Sequence, residues 1–351
     1  MEKIAVLGGG NGAQALAGHL SSMGFTVTLF EHPEFYDSVR SLEEEKTIRL
    51  TGSINALGKL RRVTKDPADI GDADIIYYLA PSFAQEAILS LVAPYIKAGA
   101  QLLLMPGNFG ALAMKKPLGN ILPESLTIAE SDTIPYACRL EGAGSVTVWG
   151  MKNFLAVSAL PSQTTNFFID RIQKAFPVPL VPAPNTLSIG LSNTNMILHC
   201  PTMIMNASRI DSEEEPFRFY GEGMTDSVCA VMEIMDVERM AVGKALGLDL
   251  LSTLEDMKKL YSLEGDSLRE AILNNPVYCG HGPDSPSSME HRYLTEDVPY
   301  LLVPAFETGR KLGIAMPVTE SVIRLASAIA GEDYLSTGRT LEFFDPLKQD
   351  I

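Results

Sequence analysis

One ionisable side chain in this sequence stands where burial would make it costly. His199 lies in the run SNTNMILHCPTMIM, Ser192 to Met205, four residues after Asn195 and two before Pro201. An imidazole ionises near pH 6.5, about where a proton can pass in either direction under neutral conditions. If the run is helical, Asn195 and His199 share a face. Pro201 removes one backbone N–H and crowds the carbonyl of Ile197, so a helix here is expected to kink at His199. A kink can aim a side chain into a cleft. The same sequence equally suits a histidine satisfied in the core by a carbonyl. A second polar cluster, MEHRYLTEDVPY (Met289 to Tyr300), gathers His291, Arg292, Tyr293, Glu296 and Asp297 ahead of an apolar segment. Alone it reads as a solvated surface with an acid at a helix start before Pro299.

The other chemistry-bearing stretch is KIAVLGGGNGAQALAGHLSSMGFTVTLFEH, beginning at Lys3. Ile4 to Leu7 is a short apolar run of the kind that forms a buried parallel strand. Gly8, Gly10 and Ala13 fit the pattern G-x-G-x-x-G/A, with Asn11 and Gly12 inside the loop. Leu16 and Leu20 mark one face of a following helix, Gly24 its stop, and Phe25 to Phe30 a second strand with Glu31 at its end. Each part suits a dinucleotide. Gly8 permits the tight turn, Gly10 lets a pyrophosphate reach the backbone, and Ala13 allows close packing of helix on strand. The helix start offers free N–H groups to phosphate. Glu31 can accept from ribose hydroxyls and would repel a 2′-phosphate, which favours NAD, while His32 and Arg40 leave NADP open.

These groups need a scaffold. ADIIYYLAP (Ala73 to Pro81) and AQLLLMPGN (Ala100 to Asn108) read as further buried strands, with a helix from Ala84 to Ile96 between them. SLTIAES, VTVWGMKN and FLAVSALP supply later strands. Alternation of this kind implies an α/β, doubly wound, mostly parallel sheet. Ligands sit outside the carboxyl ends of such strands, so the loops holding Pro81 and Asn108 are expected to line the cofactor. The proline-rich stretch Phe176 to Asn185 marks a boundary: a Rossmann domain over 1–183 and a second domain over 184–351. Beyond it helical periodicity dominates, in DSVCAVMEIMDVERMAVGKALGL (Asp226 to Leu248), PYLLVPAFETGRKLGI and MPVTESVIRLASAIAG, so the second domain should be mainly α-helical. Its methionines read as core filling.

Bulk properties narrow the classes. A chain of 351 residues suits two domains. A formal net charge of -15 disfavours nucleic acid and anionic membranes as partners. The first residues run straight into a strand pattern with no signal peptide, and no apolar run is long enough to span a bilayer. Cys138, Cys200, Cys229 and Cys279 are widely spaced, which reads as reduced thiols in a cytoplasmic protein with no metal site.

Taken together, GGGNGAQALAGHL, ESDTIPYACR (Glu130 to Arg139), SNTNMILHCPTMIMNASRI, FYGEGMTDSV, MDVERMAVGKALGL and HRYLTEDVPYLLVP, in that order, resemble the octopine/nopaline (opine) dehydrogenase family across nearly the whole chain. The resemblance implies a Rossmann domain followed by a helical domain. It implies NAD(P)H-dependent joining of an amino acid amine to an α-keto acid such as pyruvate, through reduction of an imine. By motif, His199 matches the family's catalytic histidine, Asp297 the acid that pairs with it, and Arg292 the arginine that holds a substrate carboxylate. The chemistry agrees: an arginine fork suits a carboxylate, and an acid behind an imidazole fixes its tautomer. Thr133, Tyr136, Asn193 and Asn195 lie in matching segments and are expected to contact substrate. No role follows for Ser131, Asp132 or His291, and His281 is expected in a loop. A homodimer through the helical domain is compatible with its apolar content. Two rivals stand beside this reading. A ketopantoate-type or 2-hydroxyacid reductase would use a lysine, with Lys152 available. A non-catalytic NAD sensor would have to keep an idle buried polar set, which is costly.

Overall fold

The computed structural model describes residues 2–212, 215–280 and 284–341. His281 lies outside the described residues. The chain divides into two compact units, the first running to Ile189 and the second beginning at Gly190.

The described residues of the first unit form twelve strands: β1 (Lys3–Leu7), β2 (Thr26–Phe30), β3 (Thr47–Gly52), β4 (Ala56–Lys59), β5 (Arg62–Thr64), β6 (Ile75–Tyr78), β7 (Gln101–Leu104), β8 (Thr127–Ser131), β9 (Tyr136–Gly142), β10 (Ser145–Met151), β11 (Leu155–Leu160) and β12 (Leu180–Pro182). The main sheet has the order β12-β11-β8-β7-β6-β1-β2-β5. Strands β5, β2, β1, β6, β7 and β8 pair in parallel, and β11 joins antiparallel to β8. That order reverses direction beside β1, the arrangement that opens a ligand crevice between β1 and β6. The central strands IAVL, IIYY and QLLL are buried along their length because both faces are covered. Neighbouring side chains alternate between two cores: Val6, Leu29, Tyr77 and Leu103 on one face, Leu7, Phe30, Tyr78 and Leu104 on the other.

The strand expected at VTVWGMKN forms as β10, but it belongs to a separate four-stranded sheet of order β4-β3-β10-β9. This sheet covers the helix Asn11–Ser22. The contact is close: a Cβ on Gly58 would stand 2.1 Å from the carbonyl oxygen of Gly18.

The second unit is helical. Apart from one isolated bridge between Arg218 and Asp284, its described residues form no strand. The helix expected from Asp226 forms as Asp226–Ala245, started by Thr225, whose side chain accepts from the Val228 N–H. Helices Val303–Lys311 and Pro317–Ala330 fill the later expected segments. The carboxylate of Glu238 accepts the N–H groups of Val318 and Thr319, both at 2.9 Å, and so satisfies the start of the last of these from a neighbouring helix. Arg239, fully buried, donates to Asp236 and to the carbonyls of Leu191 and Leu251. No described helix is long and apolar enough to cross a membrane.

Candidate active site

His199 sits on the helix Asn195–Met205, which runs through Pro201 without interruption. Thr202 Oγ1 donates to the Leu198 carbonyl at 2.6 Å, so a side chain shares the turn that the proline disturbs. The imidazole is buried, 5% exposed, yet both nitrogens are bonded. Nδ1 meets Asp297 Oδ2 at 2.7 Å and Nε2 meets the Tyr220 hydroxyl at 2.8 Å. As a carboxylate Asp297 can only accept, so Nδ1 carries the proton and Nε2 of the neutral ring accepts from Tyr220. The ring stacks on Tyr293, with centroids 3.8 Å apart.

Asp297 stands at the junction of the short helix Arg292–Thr295 and a π-helical turn, Val298–Leu302. Such turns insert an extra residue and re-aim the side chains around them. Pro299, lacking an N–H, sits in this turn without forfeiting a ladder bond. Arg292 directs Nε to Glu296 Oε2 at 3.0 Å. Its side chain is 53% exposed while Glu296 is buried, so the carboxylate fixes one edge of the fork and leaves the guanidinium near solvent. The Asn193 side-chain oxygen receives the Asn195 N–H at 3.1 Å, an Asx turn that leads into the helix. Asn195 lies one turn ahead of His199 on that helix. His291 is used locally, its Nδ1 accepting from the Tyr293 N–H.

In the first unit the glycine loop follows β1. Gly8 has φ +114, a conformation that only glycine adopts without strain, and a Cβ there would press on the backbone of Leu79 and Ala80 just past β6. A Cβ at Gly10 would meet nothing within 4 Å, so this is the open position of the loop. The first turn of helix Asn11–Ser22 holds no acid, leaving its positive end to an anion. Ala13 is fully buried. A Cβ on Gly12 would stand 3.1 Å from Ile134. The Asn11 side chain accepts the Leu140 N–H and thereby ties the loop to β9. Glu31 lies at the end of β2, nearly buried, and accepts from the backbone N–H groups of His32 and Gly9. Burial nonetheless pushes its carboxyl above the usual range. Pro81 opens the loop after β6. Asn108, with φ +53, donates to Ser82 Oγ at 2.8 Å, so the loops after β6 and β7 are joined side by side. These features fit a dinucleotide: an open glycine, an unopposed helix start and a strand-end acid stand around the crevice.

Two expected substrate residues have other neighbours in this unit. Tyr136 is buried in the core of the second sheet, and its hydroxyl meets His19 Nδ1 at 2.9 Å. Thr133 Oγ1 accepts from Lys152 Nζ at 2.7 Å, and the same ammonium donates to the Ile134 carbonyl. The structure thus joins His199 directly to Asp297, with Arg292 on the short helix that precedes it. It gathers the glycine loop, Glu31 and Pro81 at one crevice. Sequence reasoning passed over Tyr220 and Gln14. Gln14 Nε2 donates to the Gly9 carbonyl and Oε1 accepts the Gly144 N–H, bracing the loop from beneath. Its place directly after the G-x-G-x-x-A pattern was the only available sign.

A dinucleotide sheet followed by a helical unit with a paired, buried histidine defines a nicotinamide-dependent dehydrogenase. Residues 182–330 match the family described as NAD/NADP octopine/nopaline dehydrogenase, alpha-helical domain. An opine dehydrogenase of Arthrobacter sp. (strain 1C) is 34% identical over 96% of this chain and 93% of its own length. A solved octopine dehydrogenase in complex with NADH and agmatine superposes with a TM-score of 0.78, covering 99% of this chain and 96% of that one at 23% identity. A ketopantoate reductase from Ralstonia eutropha JMP134 has the same fold at a TM-score of 0.64, with 21% identity over 94% of this chain and 98% of its own. The chain belongs to the octopine/nopaline dehydrogenase family. It is an NAD(P)-dependent oxidoreductase acting on CH–NH donors.

Proposed function

We propose that the chain catalyses the NAD(P)H-dependent reductive condensation of an amino acid amine with an α-keto acid such as pyruvate, and the reverse oxidation. The observation that carries this is the buried His199 held on Asp297, in a chain whose relatives include an opine dehydrogenase. Fold alone does not separate this reading from a keto acid reductase, since a ketopantoate reductase has the same fold. The site does. The rival's lysine, Lys152, is already bonded to Thr133 and Ile134, whereas a bonded His–Asp pair is suited to relaying protons.

In this reading Gly8, Gly10, Asn11, Gly12 and Ala13 seat the cofactor pyrophosphate. Glu31 takes the ribose hydroxyls and favours NAD over NADP, and Pro81 and Asn108 border the nicotinamide half. The cofactor supplies hydride when bound. Arg292, braced by Glu296, grips a substrate carboxylate with the outer edge of its guanidinium. His199 gives the proton with which the carbinolamine loses water, and Asp297 stabilises the charged ring. Asn193 and Asn195 complete the substrate contacts; Tyr136, buried with its hydroxyl on His19, and Thr133, bonded to Lys152, are placed for support rather than for substrate. The domain division belongs to the same reading, with the dinucleotide domain over 1–183 and the substrate domain over 184–351. So do a cytoplasmic location and a homodimer.

The test is NADH consumption by the purified protein with pyruvate, with and without a panel of apolar, basic and acidic amino acids. Consumption that requires the amine is expected. Consumption with the keto acid alone would transfer the chain to the reductase reading.

A further inference from the structure

Tyr220 occupies the nitrogen of His199 that Asp297 leaves available. Its place is fixed from several sides. The ring stacks on Tyr278 with centroids 4.1 Å apart and an interplanar angle of 11°, and Phe219 meets it edge-on at 5.4 Å. Tyr261 abuts the far side of Tyr278 at 5.5 Å. The turn that carries Tyr220 is closed by the Glu222 and Gly223 N–H groups on the Arg218 carbonyl, and Arg269 donates to the Gly221 carbonyl at 2.7 Å. Gly223 has no room for a side chain, since a Cβ would lie 2.4 Å from the Phe219 carbonyl oxygen. Such a turn and stack hold a hydroxyl at one point rather than filling space.

We propose that Tyr220 is a positioning residue for the reaction of His199, fixing the ring through Nε2 and favouring its protonated form. This rests on the function proposed above. A hydroxyl serves both states of the ring. It donates to Nε2 when the imidazole is neutral and accepts from Nε2–H when it is charged. The second bond is charge-assisted and about twice as strong as the first. The pair Asp297–Tyr220 therefore favours imidazolium from both ends, and because it fills both nitrogens the charged ring passes its Nε2 proton to the carbinolamine only when the hydroxyl yields that nitrogen to the substrate. The phenol itself stays neutral, because burial and the neighbouring Tyr293, Tyr278 and Tyr261 push its ionisation well above the usual range. The other groups that face this centre are Asp297 on Nδ1, Tyr293, which stacks on the ring and shares a hydrogen bond with the Tyr220 hydroxyl, the thiol of Cys200 on the same helix, and Arg292 with Glu296 on the segment carrying Asp297. Asp256 lies beyond Tyr278. None of them reaches Nε2 in place of the hydroxyl among the described contacts.

Tyr220→Phe keeps the stack and removes the hydroxyl together with its bonds to His199 and Tyr293. Two readouts are taken on the full-length protein. In the pH profile of amine-dependent kcat/KM, the limb that reports the protonated ring should move down by roughly half to one pH unit. Near neutral pH kcat should fall by about tenfold or more, with KM for NADH within twofold. In a nitrogen-15 NMR titration of histidine side chains, assigned with His199→Gln, the His199 midpoint should move the same way. Tyr261→Phe, which takes a hydroxyl from the stack but not from His199, should leave that midpoint in place. The titration needs no substrate, so it judges Tyr220 even if the enzyme proves not to require an amine. If Tyr220→Phe does not fold, fluorotyrosine at position 220 keeps the shape and weakens the acceptor, and a smaller downward shift is expected. An unchanged or raised His199 midpoint in the folded variant would reduce Tyr220 to packing and overturn the proposal.

Discussion

Asp297 touches His199 through one oxygen on one nitrogen, so its charge and its shape can be separated by a single substitution. Asp297→Asn keeps the volume but offers an amide in place of a carboxylate. It no longer stabilises a charged ring and can trap the wrong tautomer. By analogy with other acid–histidine pairs, kcat should fall roughly 10²–10⁴-fold, with KM for NADH little changed. Activity within threefold of the parent would remove Asp297 from the mechanism. A second residue-scale prediction concerns Glu31. Its folded-state ionisation is raised by burial. A raised carboxyl favours folding while it is protonated and loses that advantage as pH rises through the folded value. Ionised Glu31 therefore works against the apo fold near neutrality. Glu31→Gln removes that charge at the cost of one of the two backbone acceptors, so the melting temperature of the variant relative to the parent should be highest at neutral pH and should fall as pH drops toward 4. The same change should weaken NADH and narrow the preference over NADPH. At this scale the glycine loop was legible from its own pattern, whereas His199, Asp297 and Arg292 stood out only through the resemblance of their segments; their types alone suited a core histidine and a solvated surface, and the contact between His199 and Asp297 appears only in the structure. Tyr220 was not legible. It lies in a turn, 21 residues from His199, and tyrosines fill cores far more often than they tether rings.

Elements were readable where they are contiguous. β1, the glycine loop, the helix Asn11–Ser22 and β2 form one unbroken segment whose partners are its own neighbours. The second sheet was not readable, because its central pairing joins Arg49–Gly52 on β3 with Ser145–Val148 on β10, two insertions far apart in the chain. No local pattern carries that register. The helix Asn195–Met205 continues through Pro201. A proline in a buried helix forfeits one bond, here to the Ile197 carbonyl, and packing on both sides holds the helix together across it. The second sheet has a consequence for the cofactor site, because it lies on the helix whose first turn faces the crevice. Gly58→Val would drive a Cβ against the Gly18 carbonyl, an approach that a helix backbone cannot yield to without moving. Overpacking of this kind costs typically about 1–3 kcal/mol. Urea unfolding should register that loss, and the surviving folded protein should bind NADH several-fold more weakly. Unaltered NADH affinity would show that the sheet supports stability without setting the loop.

At the scale of the whole molecule, the two-part plan was legible as a change of texture, from strand-length apolar runs to helical periodicity. The proline-rich segment that marks the change still belongs to the sheet, since β12 (Leu180–Pro182) pairs with β11 and the first unit ends only at Ile189. Prolines signal the edge of a sheet as readily as the edge of a domain. Net charge is the other property of the whole chain, and it opposes the proposed reaction. With 43 acidic and 28 basic residues the charge is -15, while NADH and a keto acid are both anions. The attractions at the site are short in range. The helix dipole fades within a turn, and the exposed Arg40 is already paired with Asp37. At about 0.01 M salt the screening length is roughly 30 Å, so the net charge governs the approach; at about 0.15 M it is roughly 8 Å, and only the local groups remain. Added salt should therefore raise kcat/KM for NADH a few-fold across that range, the reverse of what a basic cofactor cleft would give. Stopped-flow binding of NADH at the two salt concentrations tests this directly. A rate that falls with salt would mean that the loop, the helix end and the nearby cations outweigh the charge of the rest of the chain even at long range.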